Sequence, residues 1–101
     1  MRLLLALLGL AFLAACGPVQ STSALIDADV EIEGARAAGA ANAAPFELTT
    51  AEAYLKKARE LAGYSQYENS AVFAAKAREI AKEARVKAMA TSNKPEKEPA
   101  P

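Results

Sequence analysis

The sequence predicts an all-α protein, a small three-helix arrangement built on an antiparallel helical hairpin. Three observations lead there. Alanine, the best helix former, dominates the chain from Ala24 onward. Apolar and small residues recur at helical spacing in at least two clean stripes. Thr49 and Ser65 are each followed three residues later by a glutamate, Glu52 and Glu68, which is the pattern of a capping box at a helix start.

The chain opens with Met1 and Arg2, then the apolar run LLLALLGLAFL, then small residues up to Cys16. One positive charge, a short apolar core and a small-residue end form the layout of a secretory signal peptide. The run is too short to cross a bilayer, which takes about 20 residues. Residues 1–15 therefore read as a signal peptide and residues 16–22 as a polar tether.

The first helix is expected over about 23–40, with Ser23 as N-cap. Within it, ALIDADVEIE carries two signals. Ile26, Ala28, Val30 and Ile32 alternate with acids, which is a strand period, whereas Leu25, Ala28, Ile32, Ala35 and Gly39 share one helical face. Continuity with the alanine-rich stretch that follows favours the helix, since a lone strand has nothing to pair with. Gly39 or Asn42 is placed to end it.

A second helix is expected over about 49–62, buried along Ala51, Tyr54, Leu55, Ala58, Leu61 and Ala62, and ended by Gly63. Lys56 stands four residues after Glu52, a favourable ion-pair order. A third, over about 66–90, is buried along Ser70, Phe73, Ala74, Ala77, Ile80, Ala81, Ala84 and Ala88. A link of about three residues makes these two antiparallel. The third helix overhangs the second by about 17 Å, so Ile80, Ala84 and Ala88 stay open unless the first helix covers them. Residues 91–101, rich in proline and charge, read as a disordered tail.

Composition excludes several classes of function. Twelve basic and twelve acidic residues leave no basic excess for nucleic acid. The absence of histidine removes the usual general base and the commonest neutral-pH metal ligand. A single cysteine has no partner for a disulfide. Asp27, Asp29, Glu31 and Glu33 point in three directions on a helix, so they read as a solvated acidic first turn that complements the helix dipole, not a calcium cage. Glu52 and Glu68 read as capping groups, not a catalytic pair. Tyr54 and Tyr67 read as hairpin packing. Catalysis, a metal, a small-molecule substrate and a cofactor other than covalent lipid are all unexpected. Tyr64 in the turn and Val72, Val86 and Met89 off the main stripe form the candidate interaction surface.

Leu13, Ala14, Ala15 and Cys16 resemble the bacterial lipobox. That resemblance implies cleavage before Cys16, acylation of its thiol, and a membrane held by two or three acyl chains. Gly17 stands where an aspartate would resemble an inner-membrane retention signal, so the outer membrane, on its periplasmic side, is the implied site. The spacing Tyr54, Ala58, Leu61, Tyr67, Ser70, Ala74, Ala77 is similar to one tetratricopeptide repeat, in a single copy and without the terminal proline. Ala24 to about Ala88 resembles an uncharacterised family of small bacterial envelope proteins, a domain of unknown function numbered forty-three ninety-eight. The residues that carry this are Ala44-Pro45-Phe46-Glu47, Ala53-Tyr54-Leu55 with Lys57-Ala58, and Tyr67 followed by Ala71, Ala74, Ala77, Ala81 and Ala84. Ser70 departs from the alanine expected there, which loosens the packing. The family brings no assigned activity.

The expectation is thus a lipid-anchored, non-catalytic helical module that docks on another envelope protein. The alternative is a self-associating structural lipoprotein of the murein-lipoprotein kind. A core so rich in alanine is small, which favours gaining stability from a partner or a second copy.

Overall fold

Buried positions fall at seven-residue intervals along every long helix. Ser21, Ala28 and Ala35 do so on the first, Ala44, Ala51 and Ala58 beside Leu48 and Leu55 on the next, and Ser70, Ala77 and Ala84 beside Ala74, Ala81 and Ala88 on the last. This is the spacing of a coiled-coil seam, with alanine or serine where leucine or isoleucine is usual. The computed structural model describes residues 1–93, apart from the side chains of residues 12–17. Its helices are α1 (Arg2–Ala37), α2 (Ala40–Ala43), α3 (Pro45–Gly63) and α4 (Tyr67–Ser92). No strand occurs among the described residues. The protein is all-α.

The three long helices run up, down and up. α1 lies parallel to α4, with Ser21 against Ser70 and Gly34 against the side chain of Arg85. α3 runs opposite to both: Asp29 of α1 meets Arg59 and Arg36 meets Glu52, while Tyr54 meets Phe73 of α4 and Glu47 meets Lys87. The α1 side and α2 cover the overhang of α4. Ala84 and Ala88 are buried and Ile80 is half-buried, so this stripe is not open to a partner.

Residues 24–33 are helical. Ala28, Ile32 and Ala35 lie in the core while Ile26 and Val30 stay exposed, so the helical stripe prevails over the alternation. Several boundaries differ from expectation. α1 starts at Arg2, not near Ser23, and runs through the segment read as a tether. Ser23 is consequently mid-helix and caps nothing, whereas Ser21 is buried as a seam residue. The acids at 27–33 are therefore not in a first turn and gain nothing from the helix dipole. Two of them pair across the bundle instead, Asp29 with Arg59 at 3.1 Å and Glu31 with Arg85 at 3.8 Å.

α3 begins four residues early because Pro45 occupies its first turn, where a missing N–H costs nothing and the ring presets φ. Thr49 is then inside the helix and its capping box does not form. Thr50 donates back to the Phe46 carbonyl at 2.7 Å. Glu52 accepts from Arg36 in place of pairing with Lys56. The second capping box is also absent: Gln66 is the N-cap of α4, without a side-chain cap bond, and Ser65 takes a left-handed φ of 62°. Its N–H donates to Ala62 and that of Gln66 to Leu61, which closes α3 in a Schellman motif. Gly63, expected to stop α3, is its last residue. Gly39 plays the terminating role expected of it, with φ 92° and its N–H donating to Arg36 at 3.0 Å. α4 runs to Ser92, two residues into the segment read as a tail. Residues 94–101 of that segment lie outside the described residues.

The molecule is 84 Å long and 22 × 14 Å across. α1, about 54 Å long at 1.5 Å per residue, projects beyond the bundle at its N-terminal end. Leu3, Leu4, Leu5, Leu7, Leu8 and Leu10 are all exposed on that projection. Among the described residues no helix is long and apolar enough to cross a membrane. Pro18 lies inside α1 where projection and bundle meet. A proline there removes one backbone donor and costs about 3 kcal/mol in a helix interior.

Candidate interaction surfaces

A buried serine pair fixes one end of the bundle. The Ser21 hydroxyl donates to the Ser70 hydroxyl at 2.9 Å, and Ser70 donates to the Ala58 carbonyl at 2.7 Å. One hydrogen-bond chain thus joins α1, α4 and α3. Both serines are almost wholly inaccessible, at 1% and 0% exposure. Ser70 tightens the packing instead of loosening it, because its hydroxyl has a partner on each neighbouring helix.

Of the four residues expected to form an interaction surface, Tyr64 is exposed at 72%, Val86 at 64%, Val72 at 60% and Met89 at 50%. They do not form one patch. Val72 and Val86 lie 14 residues apart on α4, about 21 Å at 1.5 Å per residue. Tyr64 and Val72 belong to the end of the bundle that holds the α3–α4 turn, and Val86 and Met89 to the other. Val72 and Tyr67 share a shallow groove with Gln20 of α1. Val86 lies in another with Glu47 and Lys87. The Lys87 ammonium, which donates to Glu47, holds that carboxyl below its usual range.

A third surface escaped the sequence reading. Phe46, exposed at 77%, lines an apolar groove with Thr50, Tyr54, Lys57 and Phe73. The Tyr54 and Phe73 rings lie 5.9 Å apart, and the Lys76 ammonium sits 5.7 Å from the Tyr54 centroid, within cation–π range. The signal was available: Pro45 suits a first helical position, and starting α3 there puts Phe46, Thr50, Ala53 and Lys57 on one face.

Part of the acidic complement is spent in pairing. Asp29, Glu31, Glu33, Glu47 and Glu52 each contact an arginine or lysine. Among the described residues no group of acids, cysteine or histidine is arranged to hold a metal. The side chains of Leu13, Ala14, Ala15 and Cys16, the residues of the lipobox-like motif, lie outside the described ones. No family model, curated protein or solved structure matches the chain.

Proposed function

We propose that the protein is a lipid-anchored envelope lipoprotein whose helical bundle is a non-catalytic interaction module. In this reading residues 1–15 are removed as a signal peptide, the Cys16 thiol carries the lipid, and the outer membrane holds the protein on its periplasmic side. The supporting observation is the division of α1. Its first turns expose leucine after leucine without packing on anything, and the first buried residue among its described side chains is Ser21, just past the lipobox-like motif. A projection of this kind is unfavourable in water, and either membrane insertion or cleavage relieves it. The α3–α4 hairpin, single and tetratricopeptide-like in its spacing, supplies the side surfaces for a protein partner. The resemblance to the envelope-protein domain of unknown function agrees with this setting and adds no activity.

Substituting Cys16→Ser tests the anchor. Expected are loss of metabolic labelling by radioactive palmitate and accumulation of an unprocessed, slower-migrating precursor. Normal labelling of the C16S protein would refute lipidation at this residue. A photo-reactive residue at Val86 tests the module: a discrete adduct to another envelope protein supports docking, and adducts only to itself support the structural alternative.

A further inference from the structure

Charge is unevenly spread along α1 and α4. From Leu3 to Ile26 there is no charged residue, and from Leu61 to Ala75 Glu68 is the single one. Beyond these stretches charge is dense: seven charged residues fall between Lys76 and Lys87, and Asp27, Asp29, Glu31, Glu33 and Arg36 follow on α1. The fold gathers these two stretches at one end, where the last turns of α3 add Lys56, Lys57, Arg59 and Glu60. α1 and α4 are parallel, with Ser21 level with Ser70 and Gln20 beside Tyr67. Counting back equally along both helices puts the α3–α4 turn, Tyr64 to Gln66, at the height of residue 16.

We infer that this end of the bundle is a membrane-contacting surface, with Tyr64 seated in the headgroup layer of the bilayer that holds Cys16. The inference rests on the lipid-anchor reading. It follows from how little slack separates anchor and bundle. Ser21 is already buried and hydrogen-bonded. The five residues from Cys16 to Ser21 span about 7 Å as a helix and at most about 18 Å fully extended. A bundle held so close presents the α3–α4 turn to the bilayer. Tyr64 suits the boundary, because its ring is apolar and its hydroxyl reaches polar groups, which is why tyrosine is enriched at membrane interfaces. The turn carries no lysine or arginine, and the charges nearest it on either side, Glu60 and Glu68, are both acidic. The lipid layer it fits is therefore zwitterionic, not anionic. Val86 lies about 33 Å farther along the axis and stands clear of the bilayer.

The chain has no tryptophan, so one introduced indole reports one position. Full-length, processed Y64W and V86W proteins are reconstituted in zwitterionic vesicles containing lipids brominated near the headgroup end of the acyl chain. Vesicle flotation and tryptophan quenching are then read on the same samples. Expected is flotation of both, with emission of the Y64W protein quenched several-fold more strongly than that of V86W. Flotation of both with no quenching of Y64W, or with equal quenching of the two, overturns the inference and leaves the anchor intact. Failure to float overturns the anchor reading and this inference with it. Should circular dichroism show Y64W unfolded, Q66W reads the same turn by the same criteria.

Discussion

At the scale of single residues, two serines and one backbone angle decide the most. Ser70 donates to Ala58 and accepts from Ser21 with all of these atoms buried. Replacing one partner leaves the other unsatisfied, at about 1–3 kcal/mol, whereas replacing both by apolar groups of similar shape is nearly neutral. S70A is thus expected to lower the unfolding free energy by about that amount, and the S21A/S70A double variant to recover most of it. Urea unfolding of the four proteins in the cycle measures the coupling, and strictly additive losses would show that the two hydroxyls act independently. Ser65 is a different case. A side chain at left-handed φ costs roughly 1–2 kcal/mol, and glycine relieves it at an entropic cost of about 0.5–1 kcal/mol. S65G should be stabilising by a fraction of a kcal/mol to about 1, a rise of up to about 8 °C in Tm for a domain of this size. A fall in Tm would mean that the Ser65 hydroxyl supports the turn.

At the scale of elements, the controlling feature is the size of the seam residues. Alanines at 74, 77, 81, 84 and 88 leave α4 smooth, so α1 and α3 both approach its backbone closely. Leucine at Ala81, fully buried, has no space to enter without separating the helices, and overpacking of this kind costs about 1–3 kcal/mol. A81L is expected to lose that much in chemical unfolding while keeping its helical circular dichroism, and unchanged stability would mean that the seam has slack. This seam was the most legible part of the fold. The stripes of α3 and α4 follow directly from residue spacing, and Ala28, Ile32 and Ala35 of α1 do as well. The caps were not legible, for physical reasons. A capping box depends on where a helix starts, and Pro45 starts α3 too early for Thr49 to be used. A left-handed residue is expected to be glycine, so Gly63 drew the ending of α3 away from Ser65. Ser21 was hidden because its hydroxyl partner lies 49 residues away, beyond any local pattern. Of the candidate surface, exposure was readable for Tyr64, Val72, Val86 and Met89, but their division between two ends required the parallel pairing of α1 with α4.

At the scale of the whole molecule, the seams are satisfied internally, and this weighs between the two functional readings. A structural lipoprotein that assembles through alanine-rich faces needs such a face left over in the monomer. Here α1 occupies the face of α4 that α3 does not reach, and the large apolar residues that remain outside are spread along the rod. Ile26 and Val30 lie on α1, Phe46 on α3, and Val72 and Val86 on opposite halves of α4. Scattered exposed residues of this kind are ordinary for a protein surface. The projecting leucines are another matter, because they would drive association in water regardless of the bundle. The informative preparation therefore begins at Pro18, which removes the projection and the cysteine but keeps Ser21 and its bond to Ser70. Sedimentation equilibrium of residues 18–101 is expected to return a monomer that unfolds cooperatively and independently of concentration. A trimer or larger species, with a midpoint rising with concentration as mass action requires, would show that the bundle does present a self-complementary face. The structural reading would then displace the docking module.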